Sequence, residues 1–377
     1  MTARAQAARA APTPVSTPAT TSRIAVARPL LPTAEHLVPY LQRIDEGRWY
    51  SNFGPLVSEL EQRLSDHHGG ATVATLANAT LGLTLALKTL APSPGFCLIP
   101  GFTFVATAHA VTQAGHTPYL LDVDAQSWML TPAAVAEAIE HLGGAVSAVI
   151  VVAAFGAMPD VNGFARLQAA TGVPIILDAA AAFDSFAEPT LTSVVSLHAT
   201  KVLGIGEGGY VTSPDAETVR RIHITSSFGF AGERRSMWPA ANAKISEYAG
   251  AVGLAALDGW PAARMRWMLA ARRLSLAAHR APVRFQAGWG EDWVSSTCVV
   301  ATEPGAAPAV RGALSDAGID SRDWWGAGIH REPAFANCPA DALPCVERLA
   351  ASILGLPFSL DMSDDDIRAI AAALNAL

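Results

Sequence analysis

Val173-Pro174-Ile175-Ile176-Leu177-Asp178 is an apolar run that ends in a carboxylate, and it reads as a strand delivering Asp178 at its C-terminal end. The strand itself is read as Pro174–Leu177, and Phe96–Ile99, Thr117–Leu121, Val146–Val152, Val194–Leu197 and Tyr210–Thr212 are runs of the same kind. Between them lie alanine-rich helical stretches such as Leu81–Leu90 and Thr131–His141. Strands alternating with helices imply parallel pairing in an α/β sheet with helices on both faces. The uninterrupted Val149-Ile150-Val151-Val152 fits a sheet covered on both sides.

Outward from this centre the character changes in both directions. Residues 1–22 are rich in Ala, Thr and Pro and carry Arg4 and Arg9 but no acid. No apolar signal core follows, so residues 1–23 are expected to be a flexible extension and not a targeting signal. Folded sequence begins near Ile24, with one helix over Ala34–Arg43 and another after Pro55, where Leu56, Leu60 and Leu64 share a face. Beyond Ser213 come helical patterns at Asp215–Ile224 and Glu247–Leu257, then a long segment from Ala262 to His279. Strand-like pieces (Val283–Phe285, Thr297–Ala301) and a helix over Asp364–Leu374 complete a smaller α+β part. A boundary near residue 260 divides a large domain, 24–260, from a C-terminal one, 261–377.

Composition bounds the function. The chain has 377 residues, 51% hydrophobic and 16% charged, which implies a large core and leaves room for a buried subunit interface. A net charge of −7 argues against nucleic acid as a partner. The longest apolar stretch, Ala145–Met158, is too short to span a bilayer, so no membrane role is expected. Cys97, Cys298, Cys338 and Cys345 show no paired spacing. They read as reduced thiols of a cytoplasmic protein, with no metal site.

The chemistry centres on Ser196-Leu197-His198-Ala199-Thr200-Lys201-Val202-Leu203-Gly204-Ile205-Gly206-Glu207-Gly208-Gly209-Tyr210. A lysine between an apolar approach and a glycine-rich exit tends to lose its proton, because desolvation disfavours the ammonium. A neutral amine condenses with an aldehyde, the Schiff-base chemistry of pyridoxal 5′-phosphate. Asp178, at its strand end, is placed to hold a pyridinium nitrogen protonated, although an aspartate there also serves as a helix cap. Asn78-Ala79-Thr80 precedes a helix whose N-terminus could take a phosphate, or it is an ordinary N-cap. Ser196 offers a second hydroxyl to the same phosphate. In Pro100-Gly101-Phe102-Thr103-Phe104-Val105-Ala106-Thr107, Phe104 is either a core residue or a stacking partner for a pyridine ring.

Other features carry less. His198, beside a strand, reads as a satisfied structural histidine. Ser185, His109 and Asp184 lack a nucleophile-elbow pattern. The Gly204–Gly209 run lacks a Walker lysine and follows Lys201, so it reads as a tight turn letting backbone pass close to a cofactor.

From about Pro29 onward the chain resembles the DegT/DnrJ/EryC1/StrS family of fold-type-I pyridoxal phosphate enzymes, mostly aminotransferases of nucleotide-linked keto sugars. The resemblance is carried by Arg48-Trp49-Tyr50-Ser51-Asn52-Phe53-Gly54-Pro55, Asn78-Ala79-Thr80, Pro100–Thr107, Asp178-Ala179-Ala180, the lysine motif, and Asn242-Ala243-Lys244-Ile245-Ser246-Glu247. It implies a fold-type-I large domain, with a mainly parallel sheet, and a small C-terminal domain. It makes Lys201 the Schiff-base lysine and proton shuttle, and Asp178 the partner of the ring nitrogen. Ala79, Thr80 and Ser196 become phosphate contacts, Phe104 the ring stacker, and Asn242 a phosphate contact reaching across a homodimer. L-Glutamate is the implied amino donor and a keto sugar the acceptor. Arg234, Arg235 and Lys244 are candidates for a substrate diphosphate, and Trp324 and His330 lie where the family's C-terminal segment nears the substrate.

The chain departs from the family pattern at Ala181, where glutamine is usual, and at Phe183, where histidine is common. Two alternatives stand beside the transaminase. One is a sugar dehydratase on the same scaffold, against which Lys201 argues, since such members usually carry histidine there. The other is a non-catalytic regulatory or scaffold homologue, against which the pairing of Lys201 with Asp178 argues.

Overall fold

The computed structural model describes residues 23–377. The expected N-terminal extension lies outside the described residues except for Arg23. That residue is pinned, its Nε donating to Asp320 at 2.7 Å while Ile24 bridges to Ile319.

Two helices open the chain, α1 (Ala34–Gly47) and α2 (Pro55–His67), and Leu56, Leu60 and Leu64 are buried along one face of α2. Seven strands follow: β1 (Thr72–Leu76), β2 (Phe96–Pro100), β3 (Thr117–Leu121), β4 (Val146–Val152), β5 (Ile175–Asp178), β6 (Thr192–Ser196) and β7 (Gly209–Ser213). They form one sheet in the order β1-β7-β6-β5-β4-β2-β3. Helices α3 (Ala79–Leu90), α4 (Val105–Ala114), α5 (Pro132–Leu142) and α6 (Val161–Thr171) cross between successive strands, and α7 (Ala216–Thr225) follows β7. Pairing from β3 through β6 is parallel, as crossover helices require. The exception is β7, antiparallel to both β6 and β1. Only a glycine-rich turn separates β6 from β7, so the chain doubles back.

The uninterrupted strands serve two cores. Val149, Val151, Ile175 and Leu177 face α2, α5, α6 and the C-terminal part of the chain. Ile150, Val152, Ile176 and Val194 face α3, α4 and α7. Each strand is therefore apolar on both sides, which is why its sequence shows no alternation.

A single helix, α8 (Glu247–Ala277), runs for 31 residues. The two helical segments expected on either side of residue 260 are one, and the expected domain boundary falls inside it. Pro261 leaves one carbonyl unpaired but does not end the helix. Beyond it, β8 (Val283–Phe285), β9 (Cys298–Thr302), α9 (Ala307–Asp316), α10 (Pro344–Ala350), β10 (Ile353–Leu356) and α11 (Asp364–Asn375) build a smaller unit. Its three strands pair antiparallel in the order β10-β9-β8. Val299, Leu354 and Ile370 of this unit join the same core that covers one face of the main sheet. All four cysteines are free. Among the described residues, no helix is long and apolar enough to cross a membrane.

Candidate active site

The C-terminal ends of the parallel strands are where open α/β sheets bind ligands, and the chain's distinctive groups gather there. Asp178 ends β5 and is 6% exposed. Its Oδ2 accepts a hydrogen bond from Thr107 Oγ1 at 2.8 Å, and its Oδ1 accepts one from the Ala180 N–H at 3.1 Å. Burial pushes its carboxyl upward, against these hydrogen bonds and the nearby Lys201 charge. Lys201, partly buried, has its ammonium pushed down by burial while Asp178 pulls the other way. Among the described residues, no hydrogen bond contributes to the state of the Lys201 amine.

Glycines shape the lysine turn where space demands them. A side chain at Gly204 would meet the Ala199 carbonyl at 2.7 Å. At Gly209, a Cβ would lie 2.7 Å from the Ala79 nitrogen and 2.9 Å from the Val195 carbonyl. Gly209 therefore lets β7 pass directly beneath the start of α3. It pairs with Ser196 on one side and Leu76 on the other, so Ser196 is one strand away from the segment leading into α3. Ser196 is buried and its hydroxyl oxygen accepts the His198 N–H at 3.2 Å. Asn78 caps α3 by accepting from the Leu81 N–H at 2.9 Å, as an ordinary N-cap does. The helix nonetheless opens on a cavity of about 550 Å³ lined by Asn78, Thr80, Leu81, Gln113 and Glu207. A helix N-terminus beside a bare glycine and two hydroxyl residues suits a phosphate.

Phe104 is 55% exposed at the N-cap of α4, so it is not a core residue. It sits between Thr103 and Thr107, and Thr107 is the residue bonded to Asp178.

Asn242 is exposed, and its Oδ1 accepts a hydrogen bond from Lys244 Nζ at 2.6 Å. Lys244 also lies over the Phe228 ring at 4.5 Å, and partial burial pushes its ammonium down. The Ala77 N–H donates to the Ala243 carbonyl at 2.7 Å, so this segment runs beside its own chain's approach to α3. Arg234 and Arg235 are exposed on the neighbouring loop.

The two tryptophans of the C-terminal unit diverge. Trp324 lies against Gly355 of β10 with the Arg322 guanidinium 4.9 Å from its ring. It is Trp325, missed in the sequence, that reaches the edge of the main sheet. Its ring stacks on Phe155 at 3.9 Å and meets Phe102 edge-on at 5.0 Å. Phe155 follows β4 in a left-handed conformation, φ 54°, the kind of strained backbone found at functional sites. His330 Nε2 bonds Glu347 Oε1 at 2.8 Å, while its buried Nδ1 has no partner among the described residues. The preceding Ile329 N–H donates to the Gly101 carbonyl at 2.8 Å, bringing this segment against the Phe102–Thr107 loop.

His198 is turned to its neighbours, with Nδ1 2.8 Å from Thr200 Oγ1 and Nε2 3.6 Å from Glu207. Ser185, Asp184 and His109 are engaged separately, with the Gly156 carbonyl, Arg264 and Phe335. Ala181 is half-buried on the turn after Asp178.

Residues 33–375 match the DegT/DnrJ/EryC1/StrS aminotransferase family. Protein Rv3402c of Mycobacterium tuberculosis is 31% identical over 378 residues, covering 94% of this chain and 90% of that protein. The dTDP-4-amino-4,6-dideoxy-D-glucose transaminase of Escherichia coli is 32% identical over 242 residues, 62% of this chain and 64% of its own length. Among solved structures, DesI in the presence of its TDP-sugar product superposes with a TM-score of 0.84 at 30% identity, covering 94% of this chain and 93% of that one.

Proposed function

Because the chain belongs to the DegT/DnrJ/EryC1/StrS aminotransferase family, we propose that it is a pyridoxal phosphate-dependent transaminase that moves an amino group from L-glutamate to a nucleotide-linked keto sugar. The observation that carries this reading is the meeting, at one sheet edge, of an unbonded lysine amine with a buried carboxylate. The open N-terminus of α3 lies over Gly209, the strand partner of Ser196. The names of the similar transaminase and of the sugar-bound DesI support the acceptor class.

When bound, pyridoxal phosphate supplies an aldehyde that condenses with amines and a ring that withdraws electrons. The residues do the rest. Lys201 Nζ, whose ammonium form burial disfavours, serves as the attachment amine and then takes and returns the proton of the substrate carbon. Asp178 holds a proton on the ring nitrogen through its carboxylate. The N–H groups of Ala79 and Thr80 and the hydroxyls of Thr80 and Ser196 bind the phosphate. Phe104 offers its free face to the ring. Trp325 and His330 border the acceptor side, with Arg234, Arg235 and Lys244 as the cations for a diphosphate.

Trp49, Tyr50, Phe228, Met237 and Tyr248 are each about half exposed and offer apolar surface to a second copy, which supports a homodimer with Asn242 completing the partner's phosphate site. Four free thiols agree with a cytoplasmic setting.

The test is spectroscopic. Purified protein loaded with pyridoxal phosphate should lose its aldehyde absorbance on addition of L-glutamate, releasing 2-oxoglutarate, and nucleotide-linked keto hexoses should restore it. A protein that takes up no pyridoxal phosphate, or whose spectrum ignores every amino acid offered, is not a transaminase.

A further inference from the structure

Thr107 lies in the first turn of α4 with no exposed surface. Its Oγ1 is 2.8 Å from Asp178 Oδ2 and 3.1 Å from Oγ1 of Thr103, itself 1% exposed. A hydroxyl has one proton to give, and an ionised carboxylate has none. The proton between Thr107 and Asp178 is therefore Thr107's, and the contact between the threonines must be made by the proton of Thr103. Donation runs in one direction, Thr103 to Thr107 to Asp178, for as long as Asp178 is charged.

We infer that Thr103 and Thr107 are positioning residues that hold Asp178 ionised and aim its free lone pairs at the cofactor's ring nitrogen. The inference rests on the proposed function. The carboxylate and the ring nitrogen compete for a single proton. A more basic carboxylate draws it onto oxygen and leaves the ring neutral; a less basic one leaves it on nitrogen, where it makes the ring an electron sink. Burial favours the first arrangement, and of the groups opposing burial the Thr107 hydrogen bond contributes most, ahead of the Ala180 N–H and the Lys201 charge. Those are the groups that act on Asp178, and the hydroxyl chain, bonded to it at 2.8 Å, biases the shared proton toward the ring nitrogen.

Valine keeps the shape of threonine without the hydroxyl, and serine keeps the hydroxyl without the methyl. Wild-type, Thr107→Val, Thr107→Ser and Thr103→Val proteins would be loaded with pyridoxal phosphate labelled with ¹⁵N in the ring. The ring ¹⁵N chemical shift would be recorded, with the thermal unfolding midpoint as a control for folding. Wild type and Thr107→Ser should show a protonated nitrogen. Thr107→Val should move toward the neutral-pyridine shift, and Thr103→Val should move less in the same direction. The single-turnover reaction with L-glutamate should slow by about tenfold in Thr107→Val, the scale of a lost hydrogen bond to a charged group, and recover in Thr107→Ser. A folded, loaded Thr107→Val with the wild-type shift overturns the inference. Should that variant fail to fold, an unmoved shift in Thr103→Val overturns it instead. Wild-type protein that binds no pyridoxal phosphate overturns the functional reading and this inference together.

Discussion

Asp178 and Asn242 are both polar residues assigned to one site, and they are held in opposite ways. Asp178 is buried at a strand end, with each carboxylate oxygen bonded within its own chain. Asn242 stands on the surface, its side chain bonded among the described residues through a flexible lysine, in a segment that also exposes Phe228 and Met237. The sheet edge is finished by the fold of one chain, because parallel strands ending side by side fix their last residues relative to one another. The segment from 226 to 246 is not finished in this sense. Arg234, Arg235, Phe228 and Met237 face outward, where a second molecule can meet them, while Ala243 and Ile245 anchor the segment in the core. A pre-organised half and a displayed half should respond differently to substitution.

The organised half breaks most completely at Lys201. Lys201→Ala removes the attachment amine and the proton carrier together, while the hydrogen bonds of Asp178 stay in place. Turnover should fall by roughly 10³-fold or more, with the circular dichroism spectrum unchanged. Near-normal multiple turnover by the folded variant would end the assignment of Lys201.

At the displayed half the effect should be smaller and concern affinity. Asn242→Ala should weaken pyridoxal phosphate binding by about tenfold, as expected for one hydrogen bond to a phosphate. The sharper form of the experiment mixes Lys201→Ala subunits with Asn242→Ala subunits, at cofactor concentrations that leave Asn242→Ala mostly empty. If sites are shared, one of the mixed dimer's sites keeps both residues, and activity should exceed that of either parent. The contact of Ala77 with Ala243 sets the competing outcome, since it brings the segment close to its own chain's α3. Mixed dimers without added activity would place Asn242 in its own subunit's site.

The same contrast governs what could be read from the sequence. β3 and β4 coincide with the expected runs, and β5 and β6 are displaced by one or two residues, because a strand buried on both faces is apolar throughout. Lys201 and Asp178 stood out in the sequence as candidates for chemistry because each is a charged residue in an apolar or glycine-rich setting. Pro261 concealed the continuity of α8, since proline reads as a break although the packing of Leu254, Trp260 and Trp267 holds the helix together. β10 went unread, being four residues long with Gly355 in its middle. Thr107 gave no signal, for a helical threonine looks neutral until its partner is known. Nor could the sequence say which of two adjacent tryptophans turns toward the main sheet, because that depends on the packing of Gly355 against Trp324.

Ala181 offers the finest test, on the organised side of the comparison. It follows Asp178 on a turn closed by the Ala182 N–H donating to the Ala179 carbonyl at 2.8 Å, and its own carbonyl lies close to Gly156. The turn is therefore fixed by backbone contacts, and a longer side chain should leave it in place. If position 181 faces the cofactor's phenolic oxygen, Ala181→Gln adds an amide donor there and favours the charged form of that oxygen. The visible absorbance of the loaded enzyme should then titrate at lower pH, since a donor to an anion lowers the pKa of its conjugate acid. The accompanying change in kcat/KM should be no more than about fivefold, the worth of one ordinary hydrogen bond. A spectrum and titration identical to wild type, in a variant of normal stability, would show that position 181 points away from the cofactor. The departure from the family pattern would then lie outside the reacting centre.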